Sequence, residues 1–401
     1  MIKKWELVLF VALACALTFN TGIGNSQTKE IVIGAPNSLT GGYGEGGRQV
    51  IAGLELAFTE VNSQGGIRAL SGAKLKLIAA DTSSDNPSQA SSVTRRLIVQ
   101  DKAVVLVGSH TSTMTLSSQI EAEREQVPII TTSYADAIVQ RGYKYTFKIP
   151  SNSTRNSEAT DQYIYDMYKR YKGTTLKRVA IFYGTDASNQ FAGKAALELA
   201  KKRGLDIVAS GSFPSGTTDP TPIVGPVNQE KPEALFVLAF PGDTILVTRA
   251  VRGLGLKMPI VSVGTGISVK SVGEALGNSA NGLMGLIMWN WDLPIEGVSK
   301  FYQNYKVAYP KEPYPPQEAG EGYAIGWLIK EVLEKARSTD SKVIRNTLAS
   351  IDIPTILPGR RIGFDENGLN KHMVPIMVGW LDGELRTVWP YEYKTRDPFI
   401  P

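Results

Sequence analysis

Short apolar runs alternate with helix-period segments twice along this chain, and no other feature limits the fold as much. In the first array Ile31 to Ala35 and Lys74 to Ala80 read as strands. Between them Val50, Ile51, Leu54, Ala57, Phe58 and Val61 recur at helical spacing before a stop at Gly65-Gly66. A second helix follows Asp81, with Asp85 or Asn86 as its cap, Pro87 in its first turn and Val93, Leu97 and Ile98 on its buried face. Val104 to Val107 is the third strand, uniformly apolar as a strand covered on both faces must be. Its helix runs to about Gln126, and Val127 to Ile130 forms a fourth strand that ends in Thr131, Thr132, Ser133 and Tyr134.

After Pro150 the rhythm restarts. Arg178 to Tyr183, Leu205 to Ser210, Ala234 to Phe240 and Pro259 to Val263 are strands, separated by helices at Ala192 to Arg203, Thr221 to Glu230 and Thr244 to Leu254. Gly282 to Trp291 is a further strand, followed by helices at Gly297 to Tyr309 and Ala319 to Arg337. The tail has hairpin chemistry, with Asp365 to Gly368 and Asp382-Gly383 as turns. Two such arrays in succession predict an α/β fold of two Rossmann-like, doubly wound lobes.

The third strand breaks at Gly108 into Ser109, His110, Thr111, Ser112 and Thr113, a hydroxyl-rich entry to the next helix. Hydroxyls there cap free N–H groups, and the same groups suit a small anion such as a carboxylate. In an open parallel sheet this loop lies at the carboxyl ends of the strands, where ligands bind. Taken alone, it reads first as a helix cap with no ligand, since hydroxyl caps are common and most bind nothing.

A chain of 401 residues, 42% hydrophobic and 20% charged, has material for two cores. The net charge of +5 is dispersed, with nothing longer than Lys201-Lys202-Arg203, so the footprint expected of a nucleic-acid binder is missing. Lys3 and Lys4, the apolar run Leu7 to Leu17 and the polar stretch to Gln27 form the three parts of a secretory signal over residues 1–26. Cleavage is expected between Ala16 and Gln27, with lipid attachment at Cys15 as the alternative. Removal of Cys15, the one cysteine, leaves no disulfide and no thiol.

Gly42-Tyr-Gly44-Glu-Gly-Gly47 matches the dinucleotide fingerprint in letters, but five residues separate it from its strand and the acidic Asp81 comes too late. It reads as a mobile or ligand-embracing loop, and no cofactor is expected. His110 and His372 are the only histidines, no nucleophile elbow or Walker lysine is present, and Asp81 with Asp85 is too sparse for a metal site. A non-catalytic protein is expected. Tyr43, Tyr134, Phe191, Phe240, Trp289 and Trp291 lie near strand ends, where they suit either a cleft or a core.

The order Ile31-Val-Ile-Gly-Ala-Pro-Asn-Ser-Leu-Thr-Gly41, Asn62-Ser-Gln-Gly-Gly-Ile67, Asp81 with Asn86-Pro87, Val107-Gly-Ser-His-Thr-Ser112 and Pro128-Ile-Ile-Thr131 resembles the leucine/isoleucine/valine-binding proteins of ABC importers. Arg252 to Leu256 and Gly363 to Gly368 extend the resemblance to about residue 390. It implies a type I periplasmic-binding fold, two lobes joined by three crossovers, with 29–149 and 283–355 as one lobe and 150–282 and 356–391 as the other. It further implies a monomer in the periplasm that delivers a small polar solute to an ABC permease, or, as the second use of the same fold, a ligand-sensing receptor.

The resemblance also places the site. Ser112 would bind the solute's carboxylate, Ser133 would offer main-chain groups, and Tyr134 and Ala135 follow in the same loop, Ala135 where the family has threonine. Phe240 falls at a ligand-packing tyrosine, and Phe191 replaces another aromatic. Thr265 stands where amino-acid binders place a glutamate for the ammonium. An ammonium would then need another acid, Asp136 or Glu318, or the ligand has none; amides, urea, keto acids and aromatic acids are the classes this leaves open.

Overall fold

The structure, a computed structural model, describes residues 29–84, 86–263 and 265–400, without the side chains of Ala187, Ser188 and Thr265. The expected signal segment, Cys15 and Asp85 lie outside the described residues.

The first array runs β1 (Glu30–Asn37), α1 (Gly44–Ser63), β2 (Lys74–Asp81), α2 (Pro87–Val99), β3 (Val105–Val107), α3 (Ser112–Glu125), β4 (Ile129–Thr131), α4 (Ala137–Gln140) and β5 (Thr146–Lys148). Its five strands are parallel in the order β2-β1-β3-β4-β5. As expected, Asn86 caps α2, its side chain accepting from Gln89 N with Pro87 in the first turn.

The second array follows as α5 (Ser153–Lys172), β6 (Arg178–Gly184), α6 (Ala187–Lys202), β7 (Asp206–Phe213), α7 (Thr221–Glu230), β8 (Ala234–Leu238), α8 (Pro241–Gly253), β9 (Ile260–Val263), α9 (Thr265–Ser268), α10 (Lys270–Leu276) and β10 (Leu283–Ile287). Its parallel part has the order β7-β6-β8-β9-β10, the same winding as the first sheet. Three helices come next, α11 (Val298–Ala308), α12 (Gln317–Ala336) and α13 (Ser341–Ser350), then β11 (Asp352–Pro354), β12 (Arg361–Gly363), β13 (Ile376–Leu381) and β14 (Glu384–Trp389). The β13–β14 hairpin, turning at Asp382-Gly383, joins the second sheet antiparallel to β10.

Two expected lobe boundaries move. Residues 283–287 pair with β9 and β13, so this strand closes the second sheet and does not open the return to the first. The later return is also delayed, because Gly368 O accepts from Lys148 N (2.8 Å) and Asn370 N donates to Lys148 O (2.9 Å), which ties 368–370 to β5. The chain thus crosses between the sheets after β5, after β10 and before β13.

In each sheet the winding reverses beside its first strand, which opens a crevice at the carboxyl ends of β1 and β3 in one lobe and of β6 and β8 in the other. Glycines bring α12 to the edge of that crevice. A Cβ on Gly53 would lie 2.1 Å from Ala319 O, one on Gly322 2.3 Å from Val50 O, and one on Gly326 2.4 Å from the Ala57 Cβ, so α1 and α12 cross at backbone contact. Gln317, Glu318 and Glu321, at the start of α12, are buried as a result.

Candidate ligand site between the lobes

Gly108 ends β3 with φ +151° and so close to β1 that a Cβ would sit 2.1 Å from Pro36 O, a position only glycine fills. The chain then enters α3 through Thr111, which stands at the N-cap but makes no side-chain capping bond. Ser112 has the more telling arrangement. Its Oγ accepts from the main-chain N–H of Ala135 (3.1 Å) and of Tyr134 (3.3 Å), so both lone pairs are taken and the hydroxyl retains one proton to donate. The first-turn N–H groups of α3 have no intrahelical acceptor and face the same end of the sheet.

The neighbouring hydroxyls serve the loop instead. Ser133 Oγ lies within hydrogen-bond distance of Thr115 Oγ1 (2.7 Å), Ser109 O (2.8 Å) and His110 O (3.0 Å). Its N–H, expected for the solute, donates to Thr131 Oγ1 (3.1 Å). Behind the loop stands Lys148, fully buried, whose ammonium donates to Tyr134 O (2.7 Å) and Ala135 O (3.4 Å). Burial pushes its pKa down to about 7 against the opposing pull of Asp136. Asp136 itself accepts from Thr154 N at the start of α5 (3.1 Å).

His110 is packed against Gly46, and burial pushes its pKa down to about 4, so the loop's imidazole is neutral at pH 7. The Gly42 to Gly47 stretch is only partly a loop. Gly44, Gly46 and Gly47 belong to α1, and a Cβ on Gly47 would lie 1.8 Å from Ser38 O. These glycines seat the helix on the β1 loop. His372 is remote from this chemistry and pairs with Asp352 in the β11–β12 ribbon (2.9 Å).

Across the cleft mouth, Tyr134 Oη bonds to the Gln317 amide, which also receives Met288 N (2.8 Å). Gln317 Nε2 donates to Glu318 (2.9 Å), and Ser268 of the second lobe donates to the same carboxyl (3.1 Å). Burial raises the Glu318 pKa to about 7, and burial with the Glu318 charge holds Glu321 well above the carboxylate range. Tyr134 is likewise raised, by burial and then by Glu321 and Glu318. Glu318 is therefore engaged from both lobes.

Phe240, at the second lobe's crevice, meets Tyr43 from the first with ring centroids 3.9 Å apart. Ser271 Oγ to Glu45 (2.8 Å) and Lys270 to Glu312 (3.0 Å) join the lobes beside them. A cavity of about 220 Å³ lies between Tyr43, His110, Pro241 and Ile245. Thr265 opens α9 next to Ser268. Phe191 stands apart, 39% exposed on α6. Thus Ser112, Ser133, Tyr134, Ala135 and Glu318 form one connected set, and Phe240 meets Tyr43 between the lobes. Lys148, Ser268 and Gln317, which sequence reasoning did not assign to the site, belong to the same network.

Two Rossmann-like lobes meeting over a hydroxyl-lined crevice define a two-lobed solute-binding protein. The model of the periplasmic binding protein family matches residues 30–379, and the chain belongs to that family. It is 25% identical over 366 residues to Leu/Ile/Val-binding protein homolog 7 of Brucella abortus (strain 2308), covering 86% of this chain and 87% of that one. A leucine-binding protein from Thermotoga maritima superposes with a TM-score of 0.78 at 21% identity, over 89% of this chain and 97% of the other. A solute-binding protein of an ABC transporter from R. palustris in complex with benzoate gives 0.78 at 18%, over 92% and 99%. Family membership makes this chain a solute-binding protein of the periplasmic-binding type. Among the described residues no helix is long and apolar enough to cross a membrane.

Proposed function

We propose that the cleft holds a small carboxylic acid with an aromatic or otherwise apolar body and no ammonium group, and that the protein delivers it to its permease as a monomer, unchanged by catalysis. Ser112 carries this reading: a hydroxyl whose lone pairs already take two amides offers the cleft a proton and nothing else, which suits an acceptor such as a carboxylate. The paired rings of Tyr43 and Phe240 supply an apolar clamp for the body of the ligand.

Against an ammonium, Thr265 brings no carboxylate, and Glu318 is already bonded to Ser268 and Gln317 with its pKa raised to about 7. The two relatives of like fold, one named for leucine and one holding benzoate, both handle carboxylic acids, and they differ in the ammonium. Titration calorimetry with benzoate and with L-leucine separates the cases. Binding of benzoate with no response to L-leucine is expected; tight binding of L-leucine alone would overturn the absence of an ammonium site.

With the moved boundaries we assign 29–149 and roughly 288–371 to the first lobe and roughly 150–287 and 372–391 to the second, and closure of the two on the solute is part of the same proposal. Export by the N-terminal segment is included, and the intact mass of the exported protein distinguishes simple cleavage from a lipid on Cys15.

A further inference from the structure

The cation behind the site is the least expected group in the molecule. Lys148 sits in β5 between Phe147 and Ile149, all three buried, where an aliphatic side chain would fill the space without desolvating a charge. Among the described residues no carboxylate reaches it within ion-pair distance. Asp136, the one acid that acts on it, turns an oxygen to the N–H of Thr154 at the start of α5. What the ammonium touches is main chain, the carbonyl oxygens of Tyr134 at 2.7 Å and Ala135 at 3.4 Å.

The Tyr134 carbonyl and the Ala135 N–H are the two ends of one peptide unit. Lys148 donates to the first end, and the second end donates to Ser112 Oγ at 3.1 Å. A peptide dipole held this way has its positive end on the serine hydroxyl, and consecutive hydrogen bonds polarise one another in the same direction. The hydroxyl is made a stronger donor toward the cleft, and the positive charge of Lys148 stands behind it.

We infer that Lys148 is a positioning residue for anion selectivity, acting through the Tyr134–Ala135 peptide on Ser112 so that the first-lobe end of the cleft prefers a carboxylate to its neutral counterpart. The inference rests on the proposed reading that the acidic group of the solute lies at Ser112. A buried lysine kept only to tie down two carbonyls would serve any solute equally. Preference for charge is what separates the two roles.

The test uses the full chain, with benzoate and its neutral amide benzamide as probes in calorimetry below pH 7, and Lys148→Met, Lys148→Gln and Lys148→Arg as variants. Lys148→Gln keeps a donor for the carbonyl and removes the charge; thermal unfolding confirms that each variant is folded, and Gln stands in if Met does not fold. Removing the charge is expected to weaken benzoate on the order of tenfold, the scale of a unit charge acting across roughly 10 Å at an effective dielectric near 20. Benzamide should shift by no more than about twofold, and Lys148→Arg should restore most of the benzoate affinity. Equal losses for both probes, or no loss for either, would overturn the inference while leaving the site reading intact. If L-leucine is the acid that binds, the same comparison runs with L-leucine and its amide; if neither acid binds the native protein, the site reading itself fails.

Discussion

The Ser112 hydroxyl holds the Tyr134–Ala135 turn by accepting the N–H of Ala135 at 3.1 Å and that of Tyr134 at 3.3 Å. The same oxygen therefore builds the loop and, on the proposed reading, keeps its proton for the solute. Ser112→Ala leaves two buried amides unpaired even without solute, a loss of about 1–3 kcal/mol in denaturant unfolding. An unchanged midpoint would mean that the amides find other acceptors and that Ser112 does not organise the turn.

The crossing of α1 and α12 delivers Gln317 and Glu318 to the cleft, so methyl groups at its glycines should injure both stability and binding. Gly322→Ala puts a Cβ 2.3 Å from Val50 O, and a cost of roughly 1–3 kcal/mol is expected. Gly253→Ala at the end of α8 is the control, since its Cβ would meet no heavy atom within 4 Å and no proline follows it, and it should stabilise by about 0.4–1 kcal/mol. Chemical denaturation of the two variants decides the matter; equal effects would mean that α12 is free to shift.

Glu318 and Lys148 give stability an unusual pH dependence. The folded pKa of Glu318 is raised from 4.5 to about 7, so the native state keeps a proton that the unfolded chain loses, and stability falls as pH rises between those values. Lys148 is lowered from 10.5 to about 7; the unfolded chain then binds the extra proton, and stability recovers as pH rises from 7 toward 10.5. Glu321 adds to the first trend, its pKa being raised as well. His110, lowered from 6.5 to about 4, opposes it, since the unfolded chain binds the extra proton between those values and stability rises with pH there. The Glu318 contribution is therefore read as a difference: melting temperatures of Glu318→Gln should climb relative to the native protein as pH rises from 5 to 7. A difference that stays constant across this range would contradict the burial of a protonated acid.

An ion pair and a hydrogen bond join the lobes beside the Tyr43–Phe240 pair, so closure should respond to charge. Lys270→Glu replaces the ion pair with Glu312 by like charges, and the ligand-free protein is expected to expand in solution scattering and bind its solute roughly two- to tenfold more weakly. The native protein should contract when a solute saturates it. A radius of gyration unchanged in both experiments would argue against closure as the binding step.

Much of the α/β rhythm was legible because buried strands such as Val105–Val107 are continuous apolar runs and helices such as α1 show an apolar stripe. Helix α5 escaped, because four of its seven buried residues are Ser153, Asn156, Ser157 and Thr160, which carry no hydrophobic period. The place of 283–287 depended on a partner more than ninety residues later in the chain, the β13–β14 hairpin, and pairing at that range has no local signal. Ser112 and Tyr134 were visible as a hydroxyl loop after a strand. Lys148 had a signal that went unread, a lone charge inside an apolar strand. Gln317 and Ser268 had none, since their roles come from the helix crossing and from contact between lobes.

The central claim is that Ser112 donates to a carboxylate, and calorimetry on four combinations, native protein and Ser112→Ala each with benzoate and with benzamide, tests it most directly. The expected result is a loss of about ten- to a hundredfold for benzoate on Ser112→Ala, with a loss for benzamide that stays under about tenfold, as a bond between neutral groups allows. Equal affinities of the native protein for the two probes, or full retention of benzoate binding by a folded Ser112→Ala protein, would contradict it.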